Sequence, residues 1–336
     1  MVTSDAGLSA GVYRRGREVH IAVRSTNALE NYDIPYPIFD PIELCRVFRE
    51  VLPSADIVHA HGMLFMSTAV ATTMASQRGI PVLLTEHVGK IPYRSALKEG
   101  VQDLAIETLG RYCCRKSSAV TVLNERVGRE VRPLLSKRTE MFKIPNGVDG
   151  RLFRPADAGE RRVLRRKWGL ERPTVLFVGR FAPRKGTDLL LEAADDAFEL
   201  VFCGANRGAA VNGKKARVIP PLPQDELSEL YRACDLLVLP SVGEGFPLVV
   251  QEAMASGLPV IVTDSEEYRE YLNESVAVFS PRDPRALRQS IIGLLRLPDR
   301  RERMGRAARS WALAHFDWER TVDRYLELYG KYRHRG

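Results

Sequence analysis

The sequence predicts an α/β protein of two Rossmann-like, parallel-sheet domains, and three observations predict it. Short β-branched runs alternate with helical patterns along almost the whole chain, and that alternation builds parallel sheets with right-handed crossovers. Several runs are continuously apolar, as in Leu236-Leu237-Val238-Leu239, which marks a strand covered on both faces. The length of 336 residues suits two domains at about 150 residues each.

In chain order, the expected strands are 18–23, 57–60, 81–85, 119–123 and 141–144, then 174–178, 200–203, 217–219, 236–239, 260–263 and 276–279. Most are bounded by Gly, Pro, Asp or Asn, as strand ends are. Helical patterns fall at 41–52, 66–78, 96–114, 188–198, 225–233 and 248–256. Asn146-Gly147-Val148-Asp149 and a polar, Arg-rich connector over 150–172 separate the two strand series. A long helical region, 284–332, ends the chain, with a break expected at 315–318 where Asp317 would cap a new helix over 319–329. These features give domain spans of 1–155, 156–314 and a C-terminal helix within 315–336.

Composition narrows the class. With 45% hydrophobic residues and 50 Lys plus Arg against 42 Asp plus Glu, the chain reads as folded rather than disordered. No run approaches ~18 apolar residues, the length of a membrane span. The first ten residues lack the basic and apolar regions of a signal peptide. Five cysteines, an odd number without a C-x-x-C pair, point to neither a disulfide framework nor a zinc site, and to a cytoplasmic location. The formal charge of +8 is concentrated in stretches such as 161–167 and 300–303. It is either a solvated helix surface or an attraction to polyanions, among them a phosphate-bearing ligand or the anionic inner face of a membrane, met peripherally. No zinc-finger spacing or RNP-like aromatic run points to nucleic acid.

In open parallel sheets, ligands bind beyond the carboxyl ends of strands, so the residues that follow each run matter most. After 174–178 comes Gly179-Arg180-Phe181-Ala182-Pro183-Arg184-Lys185-Gly186. Two cations beside a helix start suit a diphosphate; a solvated basic turn is the alternative for this segment alone. After 236–239 come Gly243-Glu244-Gly245-Phe246-Pro247 and, on the next helix, Glu252. Glycines flanking Glu244 let backbone approach a ligand, Pro247 suits a helix start, and Glu252 can accept hydrogen bonds from sugar hydroxyls. Either acid read alone is equally a surface carboxylate. In the first half, alternation puts His59 and His61 on one strand face, His61 nearer the carboxyl end, and His87 follows the 81–85 run.

Taken together, these residues resemble the family 4 glycosyltransferases, retaining enzymes of the GT-B fold, over nearly the whole chain. The carriers are Glu244 to Glu252 in E-x7-E spacing running into Ala253-Met254-Ala255-Ser256-Gly257-Leu258-Pro259-Val260, the pair Arg180 and Lys185, Pro145-Asn146-Gly147-Val148-Asp149 with Phe153-Arg154-Pro155, and Phe316-Asp317-Trp318. The resemblance implies two Rossmann-like domains facing a cleft, with a terminal helix crossing back to the first. It implies that Arg180 and Lys185 bind the donor diphosphate, with the backbone of Gly245 and Phe246 near sugar and phosphates. Glu244 would hold donor-sugar hydroxyls, Glu252 the ribose, and His87 would stand in the active site beside the sugar. His61 and Asn146 are secondary candidates. The implied reaction moves a hexosyl group from a UDP- or GDP-sugar, a substrate rather than a cofactor, to a glycan, lipid-linked or small-molecule acceptor.

The chain holds no D-x-D motif, so basic residues rather than a metal ion are expected to stabilise the leaving diphosphate. The other class of reading is a non-catalytic GT-B protein that binds a nucleotide sugar or a partner. The N-terminal domain is expected to be shortened: either Val2 to Ser4 is a very short first strand or the N-terminus is degenerate, Gly7 and Gly11 read as remnants of a glycine-rich loop, and Tyr13 to His20 resembles the end of the first helix and the start of the second strand. Residues 1–12, with few apolar side chains, are expected to pack poorly.

Overall fold

The computed structural model describes residues 1–4, 10–28, 36–93, 95–205 and 216–333. The chain divides into two compact units, Met1–Ile144 with Tyr325–Gly336, and Pro145–Arg324. No helix among the described residues is long and apolar enough to cross a membrane.

The first unit contains β1 (Val2–Ser4), β2 (Gly11–Arg15), β3 (Glu18–Val23), the short pair β4 (Ser25–Thr26) and β5 (Ile38–Phe39), then β6 (Val58–His61), β7 (Val82–Glu86), β8 (Ala119–Val122) and β9 (Glu140–Lys143). The last four form one parallel sheet in sequence order. β1 runs parallel to β3, Val2 opposite Ile21, and Val2 packs on the hydrophobic core. A three-stranded sheet of order β1-β3-β2 results, separate from the β6–β9 sheet. The short first strand is therefore present, and among the described residues the parallel set is interrupted between β1 and β6.

Tyr13 to Arg15 does not close a helix. It forms an antiparallel hairpin with β3 around Gly16-Arg17, Arg15 opposite Glu18, with Gly16 at φ 62°. Val12 and Tyr13 favour strand, and the glycine accepts the left-handed turn that a two-residue hairpin needs. Residues 2–4 and 11–12 are thus paired in a sheet rather than unpacked, although Met1 and Val12 stay 71% and 62% exposed. Gly7 lies outside the described residues.

The second unit contains β10 (Thr174–Val178), β11 (Glu199–Cys203), β12 (Arg217–Ile219), β13 (Leu236–Leu239), β14 (Val260–Thr263) and β15 (Ala277–Ser280). All pair in parallel, in the order β12-β11-β10-β13-β14-β15. β10 and β13 are buried throughout, as strands covered by helices on both faces must be. The order reverses between β10 and β13, which opens a crevice beyond their carboxyl ends.

Two helix boundaries differ from the sequence reading. The helix expected over 188–198 is Thr187–Glu192. Beyond it Asp195 accepts a hydrogen bond from the Ala197 N–H at 3.0 Å, a local turn that competes with helix. The terminal region breaks at Leu297 as well as near residue 317: helices span Pro284–Leu295, Pro298–His315 and Trp318–Tyr332. Leu297 precedes a proline and takes φ −117°, ψ 76°, because the proline ring crowds a helical predecessor. Asp317 caps as expected, its Oδ1 accepting from the Arg320 N–H at 3.0 Å.

Candidate active site

In the second unit, β10 ends in Gly179 and leads through Arg180 to a 3-10 turn, Pro183–Lys185. Gly186 follows at φ 74°, where a Cβ would lie 2.4 Å from the Pro240 carbonyl oxygen. Only glycine lets this turn lie against the end of β13. Gly204, after β11, faces the same constraint, since its Cβ would meet the Gly179 oxygen at 2.0 Å.

That close approach brings Lys185 to Glu244. Lys185 Nζ lies 2.7 Å from Glu244 Oε1, and Arg184 donates to the same oxygen at 3.1 Å. Glu244 is 8% exposed. The Arg184 carbonyl accepts from the Val242 N–H at 3.1 Å, tying the two turns together. Burial pulls the Lys185 ammonium below its usual pKa; Glu244 opposes that, while Arg184 and Arg180 add to it by repulsion. Four groups from the two strand ends, Arg180, Arg184, Lys185 and Glu244, therefore form one charged cluster at the point where strand order reverses.

Beyond Glu244, Gly245 and Phe246 lead into the helix Leu248–Ala255. The Phe246 ring is buried against Tyr271 and Phe316, at centroid distances of 4.7 and 4.9 Å. Only its backbone is left to meet a ligand. Glu252 is 8% exposed, and the Tyr231 hydroxyl donates to its Oε2 at 2.9 Å. Burial raises the Glu252 pKa, and the Tyr231 bond partly offsets it.

In the first unit, three histidines meet at the carboxyl ends of β6 and β7. His59 and His61 share a strand face with rings stacked 4.3 Å apart, and His61 Nδ1 lies 2.9 Å from His87 Nε2. His59 bridges the Thr85 hydroxyl at 2.7 Å and the Tyr329 hydroxyl at 2.5 Å. Burial lowers the His59 pKa to about 3 and His61 to about 4, with repulsion from neighbouring rings adding to both. His87 is lowered too, by burial. Neutral rings suit the His61–His87 hydrogen bond, in which one nitrogen must accept.

Asn146 falls in the second unit, half-buried in the segment that precedes Val148. That segment pairs with the start of the last helix: the Val148 N–H donates to the Phe316 carbonyl at 2.7 Å and the Trp318 N–H to the Val148 carbonyl at 3.2 Å. A Cβ on Gly147 would lie 2.8 Å from Trp318 Cα.

Several residues outside the sequence reading shape the site. Arg184 is a second cation on Glu244, and Tyr231 holds Glu252. Glu86 builds the turn that carries His87: Oε1 accepts from the Val88 and Gly89 N–H groups, each at 3.1 Å, and Oε2 from Met63 N–H at 2.8 Å. Arg126 and Glu130 hold the same turn through the Val88 carbonyl, at 2.7 Å, and the Lys90 N–H, at 2.6 Å. Arg184 sits inside the quoted motif and was open to notice. Apart from the local bonds of Glu86 to Val88 and Gly89, the other partners are 21 to 40 residues apart, as in Tyr231 to Glu252 and Glu130 to Lys90, and only the fold reveals them.

Residues 160–311 match the family described as glycosyl transferases group 1, and residues 2–147 match the glycosyl transferase 4-like domain. A D-inositol 3-phosphate glycosyltransferase of Thermomonospora curvata is 31% identical over 310 residues, covering 82% of this chain and 71% of that protein. Among solved structures, a sucrose-phosphate synthase of Thermosynechococcus elongatus superposes with a TM-score of 0.77 at 22% identity, over 95% of this chain and 85% of that one. HepE of Anabaena, solved in complex with UDP-glucose, superposes with a TM-score of 0.71 at 18% identity, over 90% and 88% of the two chains.

Proposed function

The chain belongs to the family 4 glycosyltransferases and has the GT-B fold, and on that premise we propose that this glycosyltransferase moves a hexosyl group from a UDP-sugar to a phosphorylated small-molecule alcohol, with retention and without a metal ion. The observation that carries the reading is the cluster of Arg180, Arg184, Lys185 and Glu244 at the reversal of strand order. Cleaving a sugar–phosphate bond builds negative charge on a nucleoside diphosphate. Arg180 and Lys185 stabilise it in this reading, with N–H groups at the start of the Leu248–Ala255 helix. In this reading Glu244 exchanges part of its contact with the cations for donor-sugar hydroxyls. Glu252, held by Tyr231, accepts from the ribose, and His87, braced by His61, contacts the sugar. The departing phosphate takes the acceptor proton on the same face, which preserves the anomeric configuration.

The UDP donor is favoured by the UDP-glucose complex of HepE, and the phosphorylated acceptor by the name of the Thermomonospora relative. A donor-binding protein without transfer is the second reading, favoured by the break between β1 and β6. UDP-, GDP- and ADP-sugars are to be incubated with inositol phosphates and hexose phosphates, with and without EDTA. Release of UDP dependent on acceptor and indifferent to EDTA is expected. UDP-sugar binding without release would establish the second reading, and loss on chelation restored by magnesium or manganese would overturn the metal-independent chemistry.

A further inference from the structure

The Pro145–Arg324 unit holds a cavity of about 660 Å³, a size typical of small-molecule sites; of its lining, only Tyr231, whose hydroxyl holds Glu252, takes part in the chemistry above. Its wall includes Asp235, the residue before β13, and Pro259, the residue before β14. It therefore lies at the amino ends of these strands, whereas Lys185 and Glu244 follow the carboxyl ends of β10 and β13. At ~3.3 Å per residue, a four-residue strand puts roughly 13 Å between the two edges.

The lining is basic. Five arginines, at 161, 232, 301, 306 and 309, face two acids, Asp235 and Glu302. Arg309 is consumed by the scaffold, donating to the carbonyls of Phe153, Ala255 and Gly150 at 2.6, 2.5 and 2.9 Å. Asp235 is shared among Arg161 at 2.8 Å, Arg165 at 3.1 Å and Arg301 at 3.8 Å. One carboxylate cannot neutralise three guanidinium groups. Arg232 shares Glu160 with Arg154. Arg306 pairs with Glu302 one turn away, both largely exposed, a weak contact that is easily redirected. Independently of the charge, Ser256 lines the cavity, is 6% exposed, and its hydroxyl has no hydrogen-bond partner among the described residues. Leu258, Pro259 and Pro298 complete an apolar side.

We propose that this cavity is a second ligand site, separate from the donor site, that binds a phosphomonoester through Arg232, Arg301, Arg306 and Ser256 and seats its carbon skeleton on Leu258 and Pro298. Guanidinium groups match phosphate oxygens bidentately, and a bare phosphate would leave most of the volume empty. This inference goes beyond the proposed reaction and does not depend on it.

Calorimetric titration of the whole chain with glucose 6-phosphate tests it, beside glucose, inorganic phosphate and vesicles containing phosphatidic acid. Saturable binding of glucose 6-phosphate, tighter than inorganic phosphate and absent for glucose, is expected. Arg301→Gln and Arg306→Gln should each weaken it about tenfold or more, and Ser256→Ala should weaken it measurably, while UDP binding stays unchanged as proof of folding. Binding to the vesicles alone, lost in Arg306→Gln, would support the site and assign its phosphate to a lipid headgroup. No binding to either probe, binding undiminished in both arginine variants, or displacement of glucose 6-phosphate by UDP would overturn the proposal.

Discussion

Glu252 and Lys185 are both buried charges whose ionisation depends on a neighbour, and each carries a test. Tyr231→Phe keeps the ring that packs in the core but removes the hydroxyl from Glu252. A buried carboxyl left without that donor should cost about 1–3 kcal/mol of stability. The pH sign follows. The Glu252 pKa is raised in the fold by burial, and the Tyr231 bond holds it down, so the variant raises it further. A carboxyl raised in the folded state penalises folding as pH rises through that value. The deficit of Tyr231→Phe in thermal unfolding should therefore be larger at pH 8 than at pH 5, and an equal deficit at both would mean Glu252 is indifferent to its partner. Lys185→Ala, by contrast, leaves Arg184 on Glu244 and should spare the fold. If Lys185 serves the diphosphate, UDP affinity should fall roughly 10–100-fold, the range of a charge-assisted bond. Unchanged affinity by calorimetry would reduce Lys185 to a counterion of Glu244.

At the scale of elements, the turn after β7 shows how the position of His87, the proposed sugar contact, is set by residues that touch no ligand in that reading. Glu86 accepts three backbone N–H groups through its two oxygens, from Met63, Val88 and Gly89. Glu86→Gln turns one oxygen into an amide nitrogen, which cannot accept, and strands at least one of these donors. The expected loss is about 1–3 kcal/mol of stability, with a fall in turnover larger than any change in donor affinity, because His87 rides on this turn. A variant with turnover intact would separate His87 from the reaction. This also marks what the sequence makes legible. Gly243-Glu244-Gly245 and the Arg180, Lys185 pair are local signals placed at strand ends by an unmistakable run such as Leu236–Leu239, so β13 and the charged cluster could be anticipated. Element ends that depend on a single competing hydrogen bond could not: Asp195 stops the helix after Glu192, and Gly16 folds residues 11–23 into a hairpin where a helix end was expected. Tyr231 and Glu130 reach partners 21 and 40 residues away, contacts that no local pattern encodes.

On the scale of the whole molecule, the two units should respond differently to acid, and the chain carries its own reporter. All three tryptophans, Trp168, Trp311 and Trp318, belong to the Pro145–Arg324 unit, while His59, His61 and His87 belong to the other. His59, half-buried, is lowered to about 3, His61 to about 4, and His87 in the same direction. A histidine lowered by folding binds its proton more readily when unfolded, so its folded state loses stability as pH falls below the unfolded value near 6.5. At pH 5 that loss approaches about 2 kcal/mol for His59 alone, less where solvent screens the ring. In the tryptophan-bearing unit Glu252 has the opposite sign, and carboxylates held low by partners, such as Asp157, Glu160 and Asp264, do not titrate until pH falls below about 4.5. Between pH 7 and 5, unfolding followed by tryptophan fluorescence should therefore shift little, while hydrogen exchange over β6, β7 and β8 should show opening that becomes easier with each step. If the two units instead unfold in one transition, both probes will shift together. His59→Gln then decides the matter, because it removes the titrating ring from the Thr85 and Tyr329 hydroxyls and should flatten the slope between pH 7 and 5. A slope unchanged by His59→Gln would show that His59 does not set the acid response of this protein.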